Sequence, residues 1–340
     1  MYFLNLATTL LCASAAFAQS STVIIDALKL ALGDTNAFGL FLNLLEAIPP
    51  EDYAEFASLI TGNLTFAMPQ SAPNGTVSAV LGNPSTILPL LSYHLIRSPI
   101  SNTSIANSPV HSIVPTALTD SSTVFLENNQ SQSLVLTTES DGSIHVLNQP
   151  TDVILTPQDG FSILDVTYAW SSISELLVVP TTLSAALTSN NITTFANSAA
   201  TAGIVNTLES LHGVTIFVPQ DSAFSSVSST LSHLNSSELA SVLSGHVING
   251  TFYSPQLTAG QTKANLAGQT LTTNGTTVSL AGGNTANILS SDVLLQNGVV
   301  HIIDSVLVLN SLKNSATGSL LARPWVVASF AISVGGYLFA

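Results

Sequence analysis

The chain has 340 residues, of which 46% are hydrophobic and only 7% carry a charge. The net charge of −14 means that the chain lacks the basic surface that neutralises nucleic-acid phosphates, which excludes DNA and RNA as partners. The high apolar content excludes intrinsic disorder, and the single cysteine, Cys12, excludes an internal disulfide framework and a cysteine-based zinc site.

The first 18 residues have the pattern of a secretory signal peptide. An apolar run over residues 4–18 ends in Ala16-Phe17-Ala18, the small-x-small order of a cleavage site. No basic residue precedes the run, and a buried N-terminal helix is the alternative. We expect residues 1–18 to be removed, which would leave the mature chain without cysteine.

The next 150 residues are predicted to be helical first and stranded afterwards. Apolar residues recur at spacings of three and four over residues 22–60, which predicts helices. A short strand over residues 64–68 and a helix over residues 86–96 follow. Residues 110–168 then change to short β-type runs, one of them at 123–126, with polar clusters between them.

The second part of the chain repeats this plan. The spacing predicts helices over residues 182–211 and 230–243 with a strand at 214–218 between them. Asn235 and Glu238 are placed to form a capping box. Strands separated by Asn-Gly and Gly-Gly-Asn turns then follow as far as residue 309.

This order predicts an α+β fold with two tandem domains. Domain 1 is assigned to residues 20–168 and domain 2 to residues 181–312, with a linker at 169–180. Two matched segments support the repeat: Phe66-Ala-Met-Pro-Gln70 matches Ile216-Phe-Val-Pro-Gln220, and Leu91-Ser-Tyr-His94-Leu-Ile96 matches Leu243-Ser-Gly-His246-Val-Ile248.

The C-terminal residues 313–340 have the features of a glycosylphosphatidylinositol (GPI) attachment signal. Residues 325–340 are apolar and uncharged, but a membrane-spanning helix needs about 20 such residues. Small residues at 314–316 and a short spacer at 317–324 precede this tail, as in such signals. We predict attachment at Asn314, with Ser315 or Gly318 as alternatives, and a short transmembrane helix is the competing interpretation of the tail.

Sites for N-linked glycans are frequent along the chain. The pattern Asn-x-Ser/Thr occurs at Asn63, Asn74, Asn102, Asn129, Asn191, Asn235, Asn249 and Asn274. A chain rich in Ser, Thr and Asn also produces such patterns by chance. With secretion, however, we expect several to be occupied, and the glycans would supply the hydration that charged side chains do not.

Three ordered motifs in domain 2 resemble the signatures of the fasciclin domain. They are Thr215-Ile-Phe-Val-Pro-Gln-Asp-Ser-Ala-Phe224, Gly245-His-Val-Ile-Asn-Gly250 and Asn297-Gly-Val-Val-His-Ile-Ile-Asp-Ser-Val-Leu307. The resemblance implies that each domain has a helical N-terminal part packed on a wedge-shaped β-sandwich. Together with the end signals and glycosylation patterns, it makes the whole chain similar to fungal or plant fasciclin-like anchored glycoproteins.

Domain 1 resembles the family less closely. It keeps Tyr93-His94, the pair that the family associates with cell adhesion, and the resemblance makes this pair a candidate contact or the support of one. Ser71 stands where domain 2 has Asp221, and the last strand has no counterpart of His301. A shared binding role for domain 1 is therefore less supported than a shared fold.

The residues of the domain 2 motifs also have a structural interpretation. Pro219 removes a donor and ends strand pairing, after which Asp221 can accept backbone N–H groups and start a helical turn. Phe224 then returns to the core. Asp304 lies in an otherwise apolar predicted strand and needs a hydrogen-bonding partner, because an unpaired buried carboxylate is costly.

Catalytic and metal-binding patterns are missing from the sequence. The seven histidines do not pair at short spacing, so no metal site or other cofactor is predicted, and His94, His246 and His301 are interpreted as hydrogen-bonded core residues. No nucleophile elbow, phosphate loop or dinucleotide motif occurs. The sequence does not select a Ser-His-Asp set assembled in three dimensions, and we predict no enzyme.

The sequence therefore predicts a non-enzymatic adhesion glycoprotein. It would be held at the outer face of the plasma membrane or cell wall by a GPI anchor and contact wall or matrix glycans, proteins or neighbouring cells. The alternative is a binding module for an apolar small molecule such as a lipid or sterol. A secreted glycan hydrolase is the weakest hypothesis, since it requires two carboxylates about 5–10 Å apart in a cleft.

Overall fold

The computed structural model describes residues 21–33, 38–73, 75–163 and 166–315. The predicted signal peptide, the apolar tail and Asn74 lie outside these ranges. Within them, no helix combines the length and the apolar character needed to cross a membrane.

Domain 1 consists of five helices followed or interrupted by seven strands in the part that is described. The helices are α1 (21–33), α2 (Gly39–Glu46), α3 (Tyr53–Leu59), α4 (Thr76–Leu81) and α5 (Ile87–Tyr93). The strands are β1 (Thr65–Pro69), β2 (Leu95–Ile96), β3 (Ser112–Pro115), β4 (Ser133–Thr138), β5 (Ile144–Val146), β6 (Val153–Ile163) and β7 (Val166–Ile173).

Domain 2 has the same plan with one helix after its last strand. The helices are α6 (Leu183–Ser189), α7 (Thr193–Ala202), α8 (Val205–Glu209), α9 (Asp221–Ser225), α10 (Ser228–Leu231), α11 (Ser236–Ser244) and α12 (Asn310–Ser315). The strands are β8 (Val214–Pro219), β9 (Val247–Asn249), β10 (Gln261–Ala264), β11 (Thr270–Thr273), β12 (Thr277–Leu280), β13 (Thr285–Leu295) and β14 (Gly298–Ile303).

The two sheets have one topology. Seven strands lie in the order β2-β1-β7-β6-β5-β4-β3 in domain 1 and β9-β8-β14-β13-β12-β11-β10 in domain 2. In each sheet the strand that comes first in the chain, β1 or β8, pairs in parallel with the strand that comes last, β7 or β14. The other neighbouring strands are antiparallel. Single bridges, Ile96–Thr116 and Ile248–Asn265, join the two edges, so each mixed sheet curls towards a barrel. The predicted α+β architecture with two similar domains is confirmed.

The core of each domain lies on both faces of its curled sheet. Strands β1 and β8 are buried along their whole length, as expected for central strands that are covered on both faces. Phe66 of β1 points into a cluster built with the helices, whereas its neighbour Ala67 belongs to the cluster inside the curl. Ile216 and Phe217 alternate in the same way in domain 2. The period of two along these strands therefore divides the apolar residues between two cores.

Three local predictions need correction. Residues 123–126 are not a strand, because the Phe125 N–H donates across the domain boundary to the Gln296 carbonyl, 2.7 Å away, instead of to a neighbouring strand. Residues 169–173, assigned to the linker, pair with β1 inside β7, where Ser171 and Ser172 hide the apolar alternation. The helix predicted at 230–243 is divided, and the Asn235–Glu238 capping box starts α11.

Candidate functional site

The predicted adhesion pair lies in the interior of domain 1. Tyr93 ends α5 and His94 follows it, and the exposure of both residues is 0%. The His94 ring accepts a hydrogen bond from the Leu177 N–H at Nε2, 3.1 Å away, and its Nδ1 lies 2.8 Å from the Leu90 carbonyl. Since Nε2 accepts, Nδ1 carries the proton and donates to Leu90. The ring therefore joins the end of α5 to the segment after β7.

His246 makes the same connection in domain 2. Its Nδ1 lies 2.9 Å from the Val242 carbonyl, and its Nε2 accepts from the Leu307 N–H at 2.8 Å. Burial lowers the pKa of His94 and His246 to about 4 in each case, although the bond to the carbonyl opposes the shift. Both rings are consequently neutral at pH 7 and act as clamps between a helix end and the chain that follows the last strand.

Tyr93 is equally inaccessible to a partner. Its hydroxyl donates to the Ser133 carbonyl, 3.4 Å away, and burial raises the pKa of the phenol, with a further contribution from Tyr253. Neither side chain of the pair can touch another molecule in this structure. Of the two roles that the resemblance implies, a direct contact and the support of one, only support is compatible with this burial.

Asp221 caps a neighbouring helix. Its carboxylate accepts from the Thr193 hydroxyl at 2.7 Å and from the backbone N–H groups of Thr193 and Thr194 at 3.3 and 2.9 Å. These are the first residues of α7, whereas the prediction placed the capped turn directly after Asp221. The partial burial of Asp221 would raise its pKa, but these hydrogen bonds hold the pKa below its usual value. Phe224 is 6% exposed and packs in the helix-side core as expected.

His301 lies inside the curl of domain 2. The ring stacks on Phe217 with centroids 5.5 Å apart, and Nε2 donates to the Phe252 carbonyl at 2.9 Å. Nδ1 accepts from the Asp292 N–H at 3.4 Å. Burial lowers the pKa of His301. The predicted core role of this histidine therefore includes a specific one, which is to hold Asp292 in place.

Asp304 finds the partner that the sequence required. It follows β14 and accepts from the backbone and side-chain N–H groups of Asn287, 2.9 and 2.6 Å away. Asn287 lies on the adjacent strand β13, so this carboxylate ties the end of one strand to the next.

The described glycosylation sequons are accessible. The asparagine is exposed in all seven sequons that lie in the described ranges, namely Asn63, Asn102, Asn129, Asn191, Asn235, Asn249 and Asn274. Asn235 also caps α11 with its side-chain oxygen, which leaves its nitrogen outside the cap. The predicted attachment residue Asn314 lies in α12 near the end of the described chain, and the anchor itself stays a prediction.

One Ser-His-Asp arrangement is present that the sequence did not select. Ser143 Oγ lies 2.8 Å from His145 Nε2, and His145 Nδ1 lies 2.6 Å from Asp152. Ser143 Oγ is also 2.5 Å from the Asp141 carboxylate, so two acceptors compete for its one proton. Ser143 and His145 share a strand face because they are two residues apart, which is the only local signal for this set. The arrangement is a surface network at the β4–β5 turn, and its residues do not line either of the two grooves described next.

Two grooves open on the surface of the described chain. One, of about 270 Å³, lies beside α3 and α5 and is lined by Asp52, Glu55 and Asp120 among hydroxyl and apolar side chains. Partial burial would raise the pKa of Asp120, but hydrogen bonds from Ser122 and Thr123 hold it below its usual value. The other groove, of about 350 Å³, is lined by small side chains of domain 2. The described residues contain no group of three potential ligands that could hold a metal ion.

Comparison with known proteins locates a family domain in the second part of the chain. The fasciclin domain model matches residues 190–309. A fasciclin-like arabinogalactan protein of Arthroderma benhamiae is 25% identical over 229 residues, which cover 66% of this chain and 52% of that protein. A fasciclin-like arabinogalactan protein of Cercospora beticola is 32% identical over 147 residues, which cover 43% of this chain and 39% of that protein.

These matches span about half, or less, of the length of the curated relatives. A solved domain pair of the insect cell adhesion molecule Fasciclin I covers 81% of this chain and 98% of its own, at 17% identity and a TM-score of 0.37. The fasciclin domain is an adhesion-type module that is generally not enzymatic. The chain therefore carries a fasciclin domain over residues 190–309 and is a relative of the fungal fasciclin-like proteins.

Proposed function

We propose that this protein is a glycosylated cell-surface adhesion protein that contacts wall or matrix glycans, matrix proteins or neighbouring cells. The observation that carries the proposal is the fasciclin domain over residues 190–309. The exposure of the seven described sequon asparagines supports a glycan-coated extracellular surface. Because the Tyr93-His94 pair is buried, the contact surface consists of other residues, and the pair contributes by holding domain 1 in shape.

The adhesion test compares cells that display the protein with cells that do not. Beads coated with wall glycans or matrix proteins, or other cells, are allowed to settle on these cells. The force or shear needed to release them is measured. We expect retention to rise with display of the protein and to fall when the purified ectodomain is added as a competitor. Equal retention with and without the protein on every surface would contradict an adhesive role.

The lipid anchor is proposed separately, from the sequence of residues 313–340. Phosphatidylinositol-specific phospholipase should release the protein from intact cells, and Asn314→Gln combined with the same change at the alternative residues should reduce surface display. Release by high salt alone, or retention after phospholipase treatment, would contradict the anchor.

Glycosylation provides a direct check on the surface assignment. Treatment with an N-glycosidase should lower the apparent mass of the secreted protein by several glycans, and peptide mapping should find modified asparagines among the seven exposed positions. An unmodified secreted protein would remove the proposed source of surface hydration.

The other hypotheses receive less support. Both described grooves are open to solvent, and charged or hydroxyl side chains line part of each, so neither resembles an enclosed apolar site for a lipid or sterol. A glycan hydrolase needs a carboxylic acid with a raised pKa, whereas the pKa of Asp120 in the acidic groove is lowered. We therefore propose a non-enzymatic role.

A further inference from the structure

Two carboxylates cross the boundary between the domains, one in each direction. Glu127 of domain 1 accepts from the Thr251 N–H and hydroxyl of domain 2, at 2.9 and 2.8 Å. Asp292 of domain 2 lies 2.7 Å from His111 Nδ1 of domain 1. Each domain therefore offers a carboxylate to the other and receives one.

The surface around Glu127 is shaped for it. Gly213 of domain 2 has φ = 76°, and a Cβ atom at this position would collide with the Glu127 carboxylate. The glycine thus serves both the left-handed backbone and the close approach of the partner side chain. Two backbone hydrogen bonds flank the contact: Phe125 N–H donates to the Gln296 carbonyl and Gly213 N–H donates to the Phe125 carbonyl.

Asp292 is held by groups from both domains. It is fully buried in an irregular part of β13 and has φ = 64°. Its carboxylate accepts from the Ser254 N–H at 2.6 Å and from the Ser254 hydroxyl, and its carbonyl accepts from the Asn148 side chain of domain 1 at 2.6 Å. The backbone N–H of Asp292 donates a hydrogen bond to Nδ1 of His301.

The charge of Asp292 is compensated at the boundary. Burial would raise its pKa, but the hydrogen bonds from His111 and Ser254 and the nearby His301 hold the pKa below its usual value. An ionised buried carboxylate is tolerated only when it has such partners, and loss of one partner leaves an uncompensated charge. The domain contact is therefore part of what makes Asp292 acceptable in the interior.

Apolar and amide groups complete the contact. Val135 of domain 1 packs with Tyr253, Leu294 and Val299 of domain 2 in one buried cluster. The buried side chain of Gln132 bridges the boundary, because it donates to the Leu295 carbonyl at 2.9 Å and accepts from its neighbour Ser133. Hydrogen-bonded carboxylates and amides around an apolar centre are the arrangement of a specific interface, and the buried Tyr253 hydroxyl is the group in this contact that lacks a partner among the described residues.

We infer that Glu127 and Asp292 form a reciprocal lock that fixes domains 1 and 2 as one rigid unit, with His301 as the positioning residue that presents Asp292. The two domains use different faces in this contact: domain 1 offers β3, β4, the loop before β4 and the segment after β5, and domain 2 offers β13, β14 and the segment after β9. A partner that binds one domain therefore meets a fixed arrangement of both.

The test measures whether the domains move independently. Small-angle X-ray scattering and calorimetry are performed on the enzymatically deglycosylated secreted protein and on the variants Glu127→Ala, His111→Ala and Asp292→Asn. Asparagine is chosen because it tolerates positive φ. Thr251 is left unchanged, since its loss would also remove the Asn249 sequon.

Matched controls change similar groups that bond within one domain. His145→Ala removes the histidine of the other His–Asp pair, which lies wholly in domain 1, and Asp304→Asn alters a carboxylate bonded to Asn287 of the same domain. Should Asp292→Asn fail to fold, the double variant Glu127→Ala/His111→Ala still breaks the lock from the surface of domain 1.

We expect the wild type and both controls to unfold in one transition. All three should have the same maximum dimension in solution. The lock variants should show two transitions, a larger radius of gyration and faster proteolysis in the joining segment 174–182. Two independent transitions in the wild type would overturn the inference. Lock variants indistinguishable from the controls would do so as well.

Discussion

Domains 1 and 2 share every strand position, yet they differ at the residues that make domain 2 a recognisable family member. Both have the same strand order and the same histidine clamp, formed by His94 and His246. The strand register places Ser171 where domain 2 has His301. The two domains therefore share the topology and the clamp, and the residues that differ make contacts that are particular to one domain.

The position before the clamp histidine shows how such a difference is accommodated. Domain 2 has Gly245 there, and a Cβ atom would lie 2.9 Å from the Val242 carbonyl and 3.2 Å from the Gln269 side chain. Domain 1 has Tyr93 instead, which reaches the Ser133 carbonyl across the core. The tyrosine of the predicted adhesion pair is thus a packing solution particular to domain 1.

Acidification should have the largest effect, through one clamp histidine in each domain and through His301 in domain 2 as well. The unfolded histidines bind a proton near pH 6.5, but His94 and His246 in the folded protein bind one only near pH 4, so the unfolded state carries more protons between these values. The stability that the two neutral histidines contribute is fully present above about pH 6.5. It is lost as the pH falls towards 4, by about 3 kcal/mol for each histidine. Denaturant titrations at several pH values measure this loss. A flat profile from pH 7 to 4.5 would contradict the neutral clamps.

Removal of either clamp ring should cost about 3 kcal/mol, because it leaves a buried N–H unpaired, removes one hydrogen bond to a buried carbonyl and opens a cavity. His94→Ala and His246→Ala should be similar in urea unfolding, and His233→Ala is the exposed control. Each clamp variant should also lose the part of the pH dependence that its own histidine contributes. If one clamp variant were as stable as the control, the two clamp histidines would not have equivalent roles in their domains.

Loss of the helix-capping side chain should destabilise domain 2 more than the matching change destabilises domain 1. Asp221→Ala removes three hydrogen bonds to the start of α7 and should lower the free energy of unfolding by about 1–2 kcal/mol. Ser71, at the matching position, makes one exposed bond to the Ser174 carbonyl, so Ser71→Ala should cost about 0.5 kcal/mol or less. Equal losses in denaturant unfolding would show that the two positions do the same work.

The smallest effect is expected at Ser171. Its buried hydroxyl has no hydrogen-bonding partner among the described residues, so Ser171→Ala should be neutral or stabilise by up to about 1 kcal/mol. His301→Ala at the matching position should cost about 2–3 kcal/mol, since it releases Asp292 and Phe252. Thermal unfolding of the two variants gives the comparison, and a large loss for Ser171→Ala would reveal a missing partner.

Much of the architecture could be predicted because it is encoded in local patterns. The helix spacings, the fully apolar strands β1 and β8 and the repeat of the Pro-Gln and histidine motifs predicted two α+β domains, and the Asn235–Glu238 capping box was predicted to the residue. The irregular segment at 123–126 was misjudged because its backbone partner, Gln296, is more than 160 residues away. Serines in the middle of β7 likewise concealed a strand that is defined by its neighbours.

The sequence by itself determined the secondary structure order, the repeat, the acidic and weakly charged composition and the motifs of domain 2, since each of these depends on residues close together in the chain. Only the tertiary structure decided that Tyr93 and His94 are buried, that Asp221 caps α7 and that Glu127 and Asp292 face the opposite domain. These roles depend on contacts between residues 27 to 181 positions apart, and their free energy is available only after both sheets have closed.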